Sequence, residues 1–298
     1  MSLVFGTAPN CWGVWYPKDT RQPPWQRFLD EAALAGYHII ELGPYGYLPT
    51  DSGSLAQELS ARDLSLVAGT VIAPLHQPGR RVETLRTVDE VARATSALNG
   101  SFLVLIQEPY RENGMLTGPR QLDVSGWREL LTTVERAGAL VRDERGLELV
   151  FHPHADTCVE TPSQVERLLS ETDPALVSLC LDTGHYEFRG GKCVELFVRF
   201  HRRIPYLHLK SIRAALARRA EADDLGFGEA VMRGVVCEPD DGSVDFAGLA
   251  AVMTRIGYSG RAVAEHDMYP IEDLDIPLPI ARRTRRYYEA LGWTAGIG

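Results

Sequence analysis

Residues 82–107, VETLRTVDEVARATSALNGSFLVLIQ, join an amphipathic helical pattern (82–98) to a short run, FLVLIQ (102–107), that is apolar almost throughout. An amphipathic helix buries one stripe. A strand apolar on both faces has to be covered on both, as in a parallel sheet with helices packed against it. The preceding run, LSLVAGTVI (64–72), completes a strand–helix–strand unit. Such a crossover is right-handed and leaves its two strands parallel.

The same alternation fills the chain. Further strand-like runs stand at LVFGTA (3–8), HIIELG (38–43), LELVFH (147–152), VSLCLDT (177–183), PYLHLKS (205–211) and RAVAEH (261–266). Helical patterns lie between them, among them WQRFLDEAALAGY (25–37), WRELLTTVERAGALV (127–141) and FAGLAAVMTRIG (246–257). Asp123 or Ser125 is placed to cap the fourth helix and Thr161 the fifth. Eight such units in 298 residues fit one closed (β/α)₈ TIM barrel of the α/β class, with residues 1–298 as a single domain. An open doubly wound sheet is the rival architecture. No glycine-rich phosphate loop follows the first strand, which argues against dinucleotide binding. One segment departs from the pattern: residues 212–243, inserted after the seventh strand, are too long for a turn. Their apolar content (LGFGEAVMRGVV) predicts an ordered lid, or an arm that packs on a neighbouring subunit of a homo-oligomer.

Composition narrows the partners. The chain is 45% hydrophobic and 24% charged with a net charge of −9, an ordinary soluble balance that repels phosphate backbones, so no nucleic-acid partner is expected. The basic stretch ARRTRRYY (281–288) reads as a solvated helix face. No apolar run is long enough to cross a bilayer, and MSLVFGTAPN lacks the features of a signal peptide. Five scattered cysteines without a CxxC pair suit reduced thiols. The expected location is cytoplasmic and no membrane partner is expected.

In a barrel of this kind the C-terminal strand ends converge on one site. They offer Glu41 on the second strand, Gln107 and Glu108 on the fourth, and His152 and His154 on the fifth. The sixth offers Asp182 and His185, the seventh His208 and Lys210, and the eighth Glu265, His266 and Asp267. One polar residue at a strand end is usually a cap or a solvated group. Carboxylate, imidazole and carboxylate on three successive strands, Asp182, His208 and Glu265, form a ligand set suited to Mn²⁺, Mg²⁺, Co²⁺ or Zn²⁺. A fourth ligand is expected from the fifth strand or its loop, either Glu160 or His152. Lys210 shares a face with His208 because strand side chains alternate, and could hold a substrate oxygen; a plain salt bridge is the alternative.

HPHADTCVET, LDTGHYEF, LHLKSIR and VAEHD together resemble the sugar phosphate isomerase/epimerase superfamily of xylose-isomerase-like TIM barrels. IELGPYGYLPTD (40–51) and LGFGEAVMRGVVCEPDDGSVDF (225–246) are most similar to its inosose (2-keto-myo-inositol) dehydratases, which carry the same insertion. The likeness runs from the first strand to about residue 267. It implies one divalent metal, Mn²⁺ or Co²⁺ ahead of Mg²⁺ or Zn²⁺, held by Glu, Asp, His and Glu at strand ends. Asp182, His208 and Glu265 match three of these. Where epimerases of the group have Glu-Pro, this chain has His152-Pro153, as the dehydratases do. The resemblance leaves Glu160 and His152 as candidates for the fourth ligand; with Glu160 taken as the ligand, His152, His154 and His185 are free for proton transfer, with Lys210 beside them. Asn10 and Glu41, with Trp12 as a packing wall, would read the ring hydroxyls. The activity implied is dehydration of a keto-inositol or related small polyhydroxy ketone. A metal-dependent sugar isomerase or epimerase is the first alternative, and a non-catalytic sugar-binding barrel the second. A metal-dependent abasic-site endonuclease shares the fold but needs a basic face this chain lacks.

Overall fold

The computed structural model describes residues 3–112 and 114–296. Eight parallel strands close on themselves: β1 (Val4–Thr7), β2 (Ile39–Pro44), β3 (Ser65–Ala73), β4 (Phe102–Gln107), β5 (Glu148–Phe151), β6 (Ser178–Asp182), β7 (Tyr206–Leu209) and β8 (Arg261–Ala264). The closure runs from Val4 opposite Arg261 to Thr7 opposite Ala264, which removes the open-sheet alternative. Each strand sits at one of the predicted apolar runs.

The outer layer holds α1 (Trp25–Ala35), α2 (Ser52–Ser60), α3 (Arg81–Ala97), α4 (Val124–Arg145), α5 (Pro162–Glu171), α6 (Thr183–Phe188) and α7 (Cys193–Phe200). Asp123, rather than Ser125, caps α4 by accepting from the Gly126 amide. Thr161 opens α5 in a reciprocal capping box with Gln164. One core fills the barrel itself with Ala68, Val104, Val150, Cys180, Tyr206 and Val263. A larger one lies between sheet and helices, around Phe28, Leu130, Phe197 and Leu249.

The insertion after β7 is an ordered arm. It begins with Ser211–Ile212 paired antiparallel to Val236–Cys237 and carries α8 (Ala214–Ala222) and α9 (Phe227–Met232). The wall resumes with α10 (Phe246–Ile256) and α11 (Pro277–Ala290). Ala217, Ala220, Phe227, Ala230 and Val231 of the arm form a third apolar cluster with Ala155 and Phe188 at the C-terminal mouth of the barrel. The arm therefore lies on the side where the polar strand ends converge.

Candidate metal centre

Alternation along β7 sends Tyr206, His208 and Lys210 to the interior, while Leu207 and Leu209 join the outer core. Asp182 ends β6 directly opposite His208. Its Oδ1 accepts from the His185 amide 2.8 Å away, so one carboxylate oxygen caps α6 and Oδ2 faces inward. Glu265 follows β8, held by its amide to the Leu209 carbonyl at 3.0 Å. His152 follows β5, held by its amide to the Leu105 carbonyl at 2.9 Å. One ligating atom from each of His152, Asp182, His208 and Glu265 lies within 4.8 Å of all the others, and all four residues are buried.

His208 is oriented from below. Its Nε2 meets Glu41 Oε2 at 3.0 Å. The same carboxylate accepts from the Tyr206 hydroxyl at 2.8 Å and from Thr70. The other ring nitrogen, Nδ1, is buried without a hydrogen-bond partner and lies 3.3 Å from Glu265 Oε1 and 3.9 Å from Asp182 Oδ2. His152 Nε2 is 3.5 Å from Asp182 Oδ2. Two imidazoles and two carboxylates with an orphaned ring nitrogen turned inward suit a divalent ion of borderline hardness. A carboxylate behind a ligating histidine is the usual supporting contact.

Lys210 is 1% exposed. Its Nζ lies 2.9 Å from Asp182, 2.8 Å from Glu265 and 2.9 Å from Asp267. Its stem passes close to Gly184, where a Cβ would fall 2.6 Å from Lys210 Cγ, so glycine is required there. Burial opposes the ammonium, but Asp182, Asp267 and Glu265 outweigh it and raise the pKa well above the usual lysine value. Against burial, Lys210 and His185 hold Asp182 low, and His208 and Lys210 hold Glu265 low. Burial also opposes charge on His208, yet Cys180, Glu265 and Glu41 raise its pKa. Three carboxylates (Asp182, Glu265, Asp267) face the Lys210 ammonium and a fourth, Glu41, meets His208, an acidic surround that suits a divalent cation.

Beside this group, the rings of His154 and His185 lie with centroids 3.8 Å apart and planes tilted by 39°, and the ring of Phe227 of the arm lies 4.2 Å from that of His185. Burial, then the neighbouring His152, lowers the His154 pKa to about 3. Burial, then His154 and Lys210, lowers that of His185 well below the usual value.

Three expectations from sequence need correction. Glu160 is outside the ligand group. Its Oε2 pairs with Arg189 Nε at 2.7 Å and accepts from the Asp156 amide at 2.7 Å, while Oε1 accepts from the Tyr110 hydroxyl at 3.0 Å. His152 stands in its place. Trp12 is buried in the outer core, donating from Nε1 to Glu31 and packed edge-on against Phe28, so it forms no wall of the site. Both oxygens of Glu41 are engaged by protein groups beneath the centre, Oε2 by Tyr206 and His208 and Oε1 by Thr70, so it supports His208 rather than standing free for a ring hydroxyl. Asn10 does reach the rim, with Nδ2 donating to Asp267 Oδ1 at 3.2 Å. Asp267, named from sequence among the strand-end residues but given no role, lies beside Lys210, and Trp15, whose Nε1 donates to Asp267 Oδ1 at 3.0 Å, was not singled out from sequence. Trp15, in the loop after β1, carried no strand-end signal.

Comparison with known proteins agrees with this architecture. The family model described as Xylose isomerase-like TIM barrel matches residues 29–295. An inosose dehydratase of Geobacillus kaustophilus is 31% identical, over 96% of this chain and 94% of its own length. The crystal structure of the probable 3-DHS dehydratase AsbF of Bacillus anthracis superposes with a TM-score of 0.70 at 13% identity, covering 94% of this chain and 98% of that one. That of the IOLI protein with a bound zinc atom does so with a TM-score of 0.69 at 15% identity, covering 95% and 96%. The closed barrel, the converging polar strand ends and the near-complete family match lead to one assignment: the chain belongs to the xylose isomerase-like TIM barrel family.

Proposed function

We propose that the chain is a metal-dependent hydro-lyase that removes water from a keto-cyclitol, with 2-keto-myo-inositol as the first substrate to test. The observation that carries this reading is the pair of imidazoles in contact, His154 and His185, set beside a buried donor group of His152, Asp182, His208 and Glu265. Similarity over nearly the full length to inosose dehydratases supports the choice of substrate.

Dehydration of a hydroxy-ketone requires an acidified α-hydrogen, a base to remove it and a proton for the departing β-hydroxyl. A divalent ion held by the four residues would act as a Lewis acid on the keto oxygen. The chain's own groups do the rest. Lys210 places its ammonium where negative charge develops on the enolate, in a water-poor setting where such charge is effective. His154 and His185 are neutral near pH 7 and supply the imidazoles for proton transfer and for hydrogen bonding to the substrate. Asn10 and Asp267 line the rim and hydrogen-bond ring hydroxyls. The imidazole of His152 where epimerases place a carboxylate removes one of the two opposed carboxylates that epimerisation uses, and so favours elimination.

The test is incubation of the metal-loaded protein with 2-keto-myo-inositol in deuterated water, read by ultraviolet absorbance and mass. The expected product is lighter by one water and absorbs as an unsaturated or diketone species. A product of unchanged oxidation level and mass, apart from deuterium, would replace this reading with an isomerase or epimerase.

A further inference from the structure

Ala155 hydrogen-bonds two imidazoles at once, in opposite senses. Its carbonyl oxygen lies 2.7 Å from His154 Nδ1, and its amide nitrogen lies 3.3 Å from His185 Nδ1. A carbonyl only accepts, so His154 Nδ1 carries the hydrogen. An amide only donates, so His185 Nδ1 carries the lone pair. Neutral imidazole has one hydrogen for two nitrogens. Nε2 of His154 is therefore a lone pair, and Nε2 of His185 is an N–H. The hydrogen bonds described for the two rings both run through Nδ1, and Phe227 packs against both, its ring centroid 5.9 Å from that of His154 and 4.2 Å from that of His185. Hydrogen placement, not titration, distinguishes two neighbouring rings in contact.

We propose that the backbone of Ala155 divides the work between the two histidines: His154 Nε2 is the base that moves the proton, and His185 Nε2–H is a fixed donor to a substrate oxygen. This rests on the dehydratase reading above. His154 takes the α-hydrogen as a proton, and the C–H electron pair passes into the enolate. The resulting imidazolium returns that proton to the β-hydroxyl as its C–O bond breaks, and water leaves. The proton count closes on one ring. His185 keeps its hydrogen throughout, because its Nδ1 faces an amide N–H and cannot be resupplied; a neutral histidine used as an electrophile has precedent in enzyme sites. One base serving both steps makes the elimination syn, with hydrogen and hydroxyl lost from the same ring face.

The test has two arms. In ¹⁵N-histidine-labelled protein loaded with diamagnetic Zn²⁺, a nitrogen bearing hydrogen and one bearing a lone pair are well separated in shift. Spectra of His154→Gln and His185→Gln, checked for folding by thermal melts, assign the signals. The expected result is hydrogen on Nδ1 of His154 and on Nε2 of His185; the same tautomer in both, or the reverse, overturns the proposal. In the kinetic arm, glutamine offers an N–H near the position of Nε2–H. His185→Gln should keep turnover within about tenfold, while His154→Gln loses about 10²- to 10⁴-fold, the scale of acid–base catalysis. The opposite order overturns the assignment. Correct tautomers in a wild type inert toward 2-keto-myo-inositol would count against the dehydratase reading and leave the tautomer assignment standing.

Discussion

The carboxylate of Glu41 holds one nitrogen of His208 and leaves the other turned toward Asp182 and Glu265. Glu41→Gln weakens that hold while keeping size and burial, so metal affinity should fall about 10- to 100-fold in a calorimetric titration. Unchanged affinity would detach Glu41 from the centre. His152→Ala should lose metal together with activity, since its Nε2 lies beside Asp182 Oδ2; full metal content with lost turnover would make it a proton-transfer residue instead. Asp182, His208 and Glu265 were legible in the sequence because strand periodicity and barrel convergence together say where a strand-end side chain must point. Glu160 was misread because it sits in a loop, where periodicity gives no direction. Its partner Arg189 lies on the turn after α6, and nothing in the spacing of the two residues announces the pair. Glu41 was placed correctly at a strand end, but whether a strand-end carboxylate meets substrate or supports a ligand depends on Tyr206 and Thr70 from other strands.

The arm of α8 and α9 is fastened at two points. The Phe227 amide donates to Asp156 Oδ2 at 2.6 Å, and Arg189 holds the other Asp156 oxygen at 2.7 Å. Arg120 and Arg111 grip Asp224 just before α9. Gly226 is needed between them, because a Cβ there would lie 2.8 Å from Arg111 Cδ and 3.0 Å from Asp156 Oδ2. Phe227→Ala uncovers His185 and admits water, so kcat/KM should fall by about tenfold or more, as expected when water exclusion is lost, while the barrel melts as a single unit. Turnover equal to wild type would show that the arm does not seal the site. The arm's order could be anticipated from its apolar residues. Which residues it lands on could not, because the contacts run to Ala155 and Asp156 on the loop after β5 and to Phe188 at the end of α6.

At the scale of the whole molecule, fully and partly buried histidines tie stability to pH. His154 and His266 have folded pKa values of about 3 and about 4, lowered mainly by burial, and His185 is also well below the usual value. Unfolded histidine titrates at about 6.5. Below that pH the unfolded chain binds protons that the folded one does not, so stability falls as pH drops from about 6.5 toward 4. His208, raised instead, gives its full contribution throughout this range and does not offset the loss. Asp182 and Glu265, both lowered, add to the loss only near and below the usual carboxylate value of about 4. The melting temperature of chelator-treated protein should therefore decline steadily from pH 7 to 5, with a shallower slope in His266→Asn. A flat profile over that range would show that the buried imidazoles are charged in the folded state.

The central claim joins a metal to a dehydration, and one titration tests both. Protein stripped with chelator is given increasing Mn²⁺ or Co²⁺, and loss of water from 2-keto-myo-inositol is followed as bound metal per chain is measured. The account predicts an inert stripped protein, turnover rising in proportion to bound metal and saturating at one ion per chain, and neither binding nor turnover in Asp182→Ala. Dehydration by the stripped protein at the full rate, or one tightly bound ion with no dehydrated product, would contradict it.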